Sequence, residues 1–434
     1  VDFFHNWHSR EYSVMGSVAL SNVAGSPAAI ARTQRTSARY FQRPDRGTTR
    51  DGLFSTRYDT TATSLRGYGG YLRLAKDNGD WLGEVATNIR SPGFEMNDLA
   101  FLSRADYIWL STNLGRQWTV PRKHYRNIFA VIGSQRQYTF EGDRNDLQLH
   151  GNFSIDFPNF WNFQTFVIHR PGVLDDRMTR GGPVVKKTGI EGYFVSVNTD
   201  ARKLAVLSGT VEYTRGLDER ARNVNLSASV LVKPASNFSF TLGPLLEFSH
   251  GFTQYVDAIS DPTAALFAGT RYVFSAIDRT TLSMDTRLSF TFTPTLTLEL
   301  FAQPFIASGK YYDFKEFDRP RELHKSVYGR DLGTITPVKD STGHTTEYDI
   351  DPDGAGPAAQ FRIDNPDFNQ LSLRGNVILR WEYRPGSTLF VVWTREQSDD
   401  ATSGSFSFHR DFTQLIHAPS TDIFLVKLSY RLGR

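Results

Sequence analysis

The chain of 434 residues contains no cysteine, so neither disulfide bonds nor thiol chemistry contribute to its fold or function. It also lacks any run of about 18 apolar residues, which excludes a hydrophobic transmembrane helix. Its 49 basic and 46 acidic residues leave a net charge of only +3, too little to indicate a nucleic-acid partner. Aromatic residues, in contrast, reach 13% of the chain. The chain is therefore rich in aromatic side chains but contains no long apolar segment.

Apolar and polar residues alternate with a period of two through most of the chain, which is typical of β-strands with one apolar face. In residues 371–383, for example, an apolar row that includes Leu379 opposes a polar row that includes Arg380. Residues 282–292 and residues 420–432 alternate in the same way. The pattern predicts about seventeen strands, many of roughly ten to fourteen residues, joined mostly as up-and-down hairpins.

The connections between these stretches are alternately short and long. The short ones carry Gly, Pro, Asn or Asp and are predicted to be tight turns; they are residues 76–80, 157–162, 233–237, 293–295 and 384–387. The long ones are residues 26–62, 91–105, 172–187, 309–370 and 399–419. In an up-and-down sheet this alternation gathers tight turns at one rim and long loops at the other. The first long loop is predicted to contain a helix, because Ser26 can cap it and Pro27 suits its first position.

A sheet with one apolar face needs a cover for that face, and the kind of cover decides the class of protein. A soluble protein would supply a second protein layer. However, no repeat of about 40 residues indicates propeller blades, and a sandwich of so many long strands would be outsized. A transmembrane barrel needs no second layer, because lipid covers its apolar row. The predicted fold is therefore all-β: a large antiparallel up-and-down transmembrane β-barrel, with residues 1–434 as a single domain.

In such a barrel the polar row of each strand faces the lumen. Seven charged residues are predicted to face the lumen: Asp285, Arg287, Glu299, Arg374, Arg380, Glu382 and Lys427. Charges of both signs need water or partners. The lumen is therefore predicted to be wet or to be filled by a plug.

Five stretches carry a resemblance to a known family. They are "RTSARYFQRPD" (35–45), "RSPGFEMNDL" (90–99), "DPDGAGPA" (351–358), "NPDFNQLSLRGNVILRWEYRPGSTLFVVW" (365–393) and "IFLVKLSYRLG" (423–433). In this order they resemble an uncharacterised family of large outer-membrane β proteins with an N-terminal carbohydrate-binding family 9 domain. The resemblance implies that this chain is the C-terminal β-barrel part of such a protein, without that domain and without several upstream strands. An incomplete set of strands cannot close alone, so upstream residues or another chain would complete the wall.

The resemblance and the barrel pattern together imply a location. Residues 1–4 already read as strand, so the N-terminus is expected to be either processed or cut within the fold. The expected place is the outer membrane of a diderm bacterium, with the long loops 26–62 and 309–370 at the cell surface. The expected partners are outer-membrane lipid and lipopolysaccharide, the outer-membrane assembly machinery and other envelope proteins, with no nucleic acid.

One short motif suggests a metal. Asp349, Asp351 and Asp353 alternate before Gly354, and this spacing resembles the first half of a calcium loop. Gln360 stands where such a loop would carry its last glutamate. A structural calcium ion and an acidic, solvated turn both remain open, and no other cofactor is indicated.

The long loop 309–370 also holds candidates for ligand contact, which are Tyr311, Tyr312, Phe314, Arg319 and Arg321. Such rings and guanidinium groups stack on and hydrogen-bond to sugars or peptides. The alternative is that the loop packs on itself and caps or plugs the barrel. No spacing signature assigns a catalytic residue.

Three functions are compatible with these features. The first is a porin-like or substrate-capturing passage for hydrophilic solutes such as glycans or peptides. The second is a membrane-anchored scaffold or assembly partner with a plugged lumen. The third is a surface hydrolase, which would need convergent carboxylates in the loops.

Overall fold

The computed structural model describes residues 1–47, 57–401 and 403–432. The strands of the first half are β1 (Asp2–Trp7), β2 (Tyr12–Ala24), β3 (Ser64–Lys76), β4 (Trp81–Arg90), β5 (Tyr107–Trp118), β6 (Asn127–Tyr138), β7 (Arg144–Asp156), β8 (Asn162–Arg170), β9 (Val173–Asp175), β10 (Val185–Lys187), β11 (Ile190–Asn198) and β12 (Ala205–Gly216). Those of the second half are β13 (Arg222–Ala235), β14 (Phe238–Ser260), β15 (Thr270–Thr293), β16 (Leu296–Phe317), β17 (Lys325–Val327), β18 (Thr334–Lys339), β19 (Thr345–Asp351), β20 (Phe361–Asp364), β21 (Phe368–Arg384), β22 (Ser387–Ala401) and β23 (Ser420–Ser429). The helices of the described residues are α1 (Pro27–Gln34), α2 (Phe408–His417) and a 3₁₀ turn (Ala265–Phe267).

One antiparallel sheet of 18 strands dominates the structure, and β17 is only a three-residue addition to it. The other seventeen pair in chain order from β1 to β8, then from β11 to β16, and finally through β21 to β23. β18, β19 and β20 form a separate small sheet, and β9 pairs with β10. In the described residues β1 pairs with β2 alone and β23 with β22 alone. The prediction of a large antiparallel up-and-down sheet of about seventeen strands is confirmed.

All five predicted tight turns join consecutive strands. They lie at residues 77–80, 157–161, 236–237, 294–295 and 385–386. Gly79 (φ +92°) and Gly386 (φ +76°) take the left-handed backbone conformation that two of these turns require. We call this end of the sheet the turn rim, and the opposite end, where the long connections lie, the loop rim.

The strand register sorts the side chains onto two faces. In the apolar face, Val377 stands opposite Trp393, which stands opposite Phe424. Near the β23 edge this face is open, because Phe424 is 73% exposed and Val426 is 67% exposed. The other face carries most of the charged side chains of the strands, and we call it the polar face. A contiguous exposed apolar band of this kind marks a surface that another apolar phase covers.

Three strands continue far beyond the others at the loop rim. β14, β15 and β16 contain 23, 24 and 22 residues, about twice the length that a tilted strand needs to cross a bilayer. Their outer parts are covered by protein, since Val273 and Phe314 pack with Ile350 and Ile363 of the small sheet in one buried cluster. The sheet is therefore apolar and exposed in one part, and packed like a soluble domain in another.

The predicted loop 309–370 needs a correction, because β16 runs on to residue 317 and β21 begins at residue 368. The irregular connection is thus 318–367, and it contains β17 to β20. The alternation fails in the last part of β16 because the register shifts between the pairs Phe274–Lys315 and Ala276–Tyr312. Such a bulge inserts an extra residue and disturbs the period of two.

The predicted helix in the first long connection is confirmed as α1. The Ser26 hydroxyl accepts a hydrogen bond from the Ala29 backbone N–H (3.3 Å), and Pro27 is the first helical residue. Residues 48–56 of the predicted loop 26–62 lie outside the described residues. The second helix, α2, was not predicted, and it fills much of the predicted loop 399–419. None of the described helices is long and apolar enough to span a membrane.

Candidate functional site

The seven charged residues predicted for the lumen all lie on the polar face. Gln303 stands opposite Arg374 and donates a hydrogen bond to the Asp285 carboxylate (2.6 Å). The strand register, together with the contact between Arg380 and Glu382 at 3.3 Å, places the remaining five on the same face; they are Arg287, Glu299, Arg380, Glu382 and Lys427. The structure therefore brings the seven residues to one face, and their contact with an aqueous lumen stays a prediction.

Among the described residues, recesses open at two places on the polar face. One, of about 450 Å³, is lined by Arg287, Glu299 and Asn376, with the Arg287 guanidinium 4.9 Å from the centre of the Phe301 ring. The other, of about 380 Å³, is lined by residues that include Arg73, whose guanidinium pairs with Glu84 at 2.6 Å. Both recesses combine charged groups with amide or aromatic groups, so they can hold a solute rich in hydroxyl or charged groups.

Two long connections, residues 25–63 and 91–106, meet at the loop rim. The buried Arg39 guanidinium donates to the carbonyl oxygens of Pro92 (3.2 Å) and Phe94 (2.8 Å) and pairs with Glu95 (2.8 Å). The Glu95 backbone N–H in turn donates to the hydroxyl of Ser21 in β2 (3.0 Å). Arg39 therefore links the first connection to the second, and Ser21 links the second to the sheet.

The second connection is seated directly on the polar face of β3. Gly67 of β3 stands opposite Ser21 on that face. A Cβ on Gly67 would lie only 2.1 Å from the Phe94 backbone nitrogen, and a Cβ on Gly93 would lie 2.0 Å from the Arg66 carbonyl oxygen. Neither position accepts a side chain without displacing the loop, so both depend on glycine.

A second buried cluster of charges joins further connections. The Arg43 guanidinium is surrounded by the carboxylates of Asp45 (3.2 Å), Glu141 (3.4 Å) and Asp176 (3.7 Å). Arg104 pairs with Asp176 at 2.7 Å. These residues come from four different connections at the loop rim, so the cluster holds those connections together.

Neighbouring contacts also hold the connections of the loop rim together. Arg46 forms an ion pair with Asp106, and both side chains are buried. The Asp45 carboxylate also accepts a hydrogen bond from the Val184 backbone N–H (2.7 Å). Removing one partner of such a buried pair destabilises the fold, because the remaining charge is left without water or a counter-charge.

The pKa values of Glu141 and Asp176 shift in opposite directions, although burial acts in the same direction on both acids. Burial raises the pKa of Glu141, although the Arg46 and Arg43 guanidinium groups oppose that effect. Burial also disfavours the Asp176 carboxylate, but Arg104, Arg43 and Arg177 together outweigh burial, and the pKa of Asp176 falls below its ordinary value. Asp176 is thus the acid that pairing keeps ionised.

The five ligand-contact candidates do not form one site. Tyr311, Tyr312 and Phe314 lie in β16 and not in a loop, which corrects the prediction. The Phe314 ring is buried in the cluster with Val273, and the Tyr312 hydroxyl bonds to the ring of His250 (3.0 Å). The remaining two candidates are in the connection 318–367; Arg319 is exposed, and Arg321 donates to Asp143 (3.0 Å).

The three aspartates of the possible calcium loop do not converge. Asp349 accepts from the Arg362 guanidinium (2.6 Å), and Asp351 accepts from the Gly354 backbone N–H (2.8 Å). Asp353 accepts from the Ala358 backbone N–H (2.9 Å). Across residues 1–47, 57–401 and 403–432, no group of three His, Asp or Glu side chains is arranged to hold a metal ion. The geometry therefore favours the acidic turn.

Nothing in the sequence indicated a buried lysine in the outer part of β16. The Lys315 ammonium donates to the Phe252 carbonyl oxygen (2.9 Å) and lies 3.5 Å from the centre of that residue's ring. Burial lowers the pKa of Lys315 to about 8. Lys325 lies beside the Phe317 ring and pairs with Glu219. The outer part of β16 thus contains a titratable amine that is sealed from solvent.

An up-and-down sheet of this size, with one charged face that carries loops and one apolar exposed face, has the architecture of a large β-barrel wall. The chain belongs to the family described as "Domain of unknown function (DUF5916)", whose model matches residues 16–433. The predicted membership of an uncharacterised β family is confirmed in this respect, and the link of that family to a carbohydrate-binding family 9 domain stays a prediction.

No curated protein matches the chain. Among solved structures, the siderophore receptor PirA from Acinetobacter baumannii is similar at 11% sequence identity and a TM-score of 0.42, over 98% of this chain and 69% of that one.

Proposed function

We propose that the chain forms the wall of an outer-membrane β-barrel whose polar face lines a passage or capture site for hydrophilic solutes such as glycans or peptides. The observation that carries this proposal is the contrast between the two faces of one sheet. Asp285 and Arg374 lie on one face, and Phe424 and Val426 lie exposed on the other.

The exposed apolar face supports a lipid environment on energetic grounds. Burying one large apolar side chain is worth about 1.5–3 kcal/mol, so a whole band of such side chains in water would be strongly unfavourable. Lipid removes that penalty without a second protein layer, and pairing between neighbouring strands satisfies the backbone N–H and C=O groups. Outer-membrane lipid and lipopolysaccharide would then surround the barrel, and the outer-membrane assembly machinery would insert it.

The polar face supports a hydrophilic solute. The recess around Arg287, Glu299 and Asn376 offers a cation, an anion and an amide within one small volume. Such a mixed set matches neutral polar or zwitterionic molecules better than an apolar ligand. The connections that Arg39 and Gly67 hold against the same face lie at the loop rim, so in this proposal they regulate entry from that side.

Conductance in planar bilayers tests the passage directly. The full-length protein is compared with the charge reversal Arg287→Glu in the recess, and Arg330→Glu in the exposed connection 318–367 is the matched control. We expect ion flow whose selectivity shifts towards cations in Arg287→Glu and is unchanged in Arg330→Glu. A protein that passes no ions in any variant would contradict the passage.

A second function, a membrane-anchored scaffold, is favoured by one specific observation. The contacts of Arg39 and the missing side chain at Gly67 hold two connections firmly on the polar face. A barrel kept closed in this way could serve as an anchor for other envelope proteins. Absence of conductance, together with recovery of a stable multi-protein particle after gentle detergent extraction, would favour the scaffold over the passage.

A further inference from the structure

Helix α2 lies on the apolar face of the sheet at the loop rim, where it contacts β21 and β22. Its Leu415 side chain is buried against Ile306 and Leu371 of the apolar face. Asp411, also buried, accepts a hydrogen bond from the Asn369 side-chain amide (2.9 Å) and another from the Ser407 backbone N–H (2.8 Å). One side of α2 is therefore fixed to the sheet by packing and by a buried polar contact.

The adjoining side of α2 is apolar and only partly covered. Phe408, Phe412 and Ile416 follow one another at intervals of four residues, so they form one stripe along the helix. They are 57%, 39% and 48% exposed, and the two phenylalanine rings stack at 5.6 Å. We call these three residues the α2 stripe.

The remaining surface of α2 is polar. His409, Arg410, Thr413 and His417 are exposed. Asp411 is the only acidic residue of the helix, and it is buried against the sheet. Arg410 pairs with Asp411 at 2.8 Å, so the side of α2 that faces away from the sheet presents no unpaired carboxylate that would repel an anionic surface.

The α2 stripe also extends a larger apolar surface. Leu371 and Leu373, which pack near α2, begin the apolar row of β21 that continues through Val377 towards the turn rim. That row leads across β22 to the exposed Phe424 of β23. The stripe thus stands at the loop-rim end of the band that lipid is proposed to cover.

We propose that α2 is an interfacial helix, which lies at the boundary between headgroups and acyl chains of the leaflet nearest the loop rim. The α2 stripe enters the acyl region, and the His409, Thr413 and His417 side faces the headgroups. An amphipathic helix with aromatic residues on one side and no exposed acid is the form that binds this boundary. This inference rests on the proposed barrel, and it assigns a phosphorylated lipid surface as the partner of a segment outside the sheet.

Nitroxide labelling provides the test, because these 434 residues contain no cysteine and each introduced cysteine is therefore unique within them. The full-length protein is reconstituted in vesicles of phosphatidylethanolamine and phosphatidylglycerol with a label at Phe412→Cys, Thr413→Cys or Phe424→Cys. Collision with oxygen, which concentrates in acyl chains, is compared with collision with a water-soluble nickel complex. Thr413→Cys is the matched control on the polar side of α2, and Phe424→Cys reports the barrel wall.

We expect the oxygen-to-nickel collision ratio to be at least about threefold higher at position 412 than at position 413, in line with an interfacial helix. A ratio at 412 no higher than at 413, with Phe424→Cys in lipid, overturns the role of α2 and leaves the barrel standing. A label at 412 that neither reagent reaches also overturns it, because another protein would then cover the stripe. If position 424 reports water, the barrel itself fails.

Discussion

The Phe94 backbone nitrogen occupies the space where a Cβ of Gly67 would stand, only 2.1 Å from the position of that missing atom. One connection of the loop rim is thereby seated against β3, inside the polar face. The hydrogen bonds of Arg39 and Ser21 hold this connection in place, but contact this close also requires the absence of a side chain at Gly67. The position should therefore respond sharply to the smallest possible substitution.

Gly67→Ala should displace residues 91–96 from β3, since the added methyl group overlaps the loop backbone. Overpacking of this kind costs about 1–3 kcal/mol, which here should appear as local opening. Limited proteolysis should cut this connection faster than in the wild type, and ion conductance should rise. Gly70→Ala is the matched control, because its Cβ would make an ordinary 3.5 Å contact with the Ser17 carbonyl oxygen on the apolar side. Equal proteolysis of both variants would refute the role of Gly67.

Arg39 should be the strongest single link between the connection that follows β2 and the connection 91–106. Arg39→Met removes the donors to Pro92 and Phe94 and leaves the Glu95 carboxylate without its ion-pair partner. Loss of one member of a buried pair costs about 3–5 kcal/mol, so hydrogen exchange of residues 91–96 should accelerate strongly. Adding Glu95→Gln should recover part of the protection. Arg330→Met, at an exposed pair with Asp331, should change nothing measurable; if it matches Arg39→Met, the link is not specific.

Lys315 should make stability depend on pH in the alkaline range. Its pKa is lowered by burial from 10.5 to about 8, so between these values the unfolded chain binds more protons than the folded one. The free energy of unfolding should therefore rise from about pH 8 to pH 10.5. The difference between wild type and Lys315→Met, measured as thermal midpoints in detergent, isolates this contribution from other groups. A difference that stays constant with pH would contradict it.

The two faces of β23 should tolerate charge very differently. If lipid covers the apolar face, Phe424→Arg puts a guanidinium among lipid chains, which costs up to about 2–4 kcal/mol near the bilayer midplane and less near its edges. Thr421→Arg puts the same group on the polar face and should cost little. Equilibrium unfolding from vesicles measures both. Similar losses in the two variants would mean that the faces have been assigned wrongly.

The sequence predicted the regular parts of the sheet well, because a period of two is visible whenever a strand has one apolar face. It failed in the outer part of β16, where a bulge near Tyr312 breaks the period, and Phe314 was consequently placed in a loop. α2 was missed although Phe408 and Phe412 already show helical spacing. Arg39 and Glu95 were both visible, but nothing in the sequence indicates that two charges 56 residues apart meet.

The most direct test of the central claim is a scan of nitroxide labels along the whole of β23, one cysteine at a time. If lipid covers the apolar face, oxygen contact should peak at every second position, including 424, 426 and 428. The alternate positions, including 423 and 427, should be reached by the water-soluble reagent or be shielded. Oxygen contact without this period of two, or water contact at the apolar positions, would show that the apolar face does not meet a membrane.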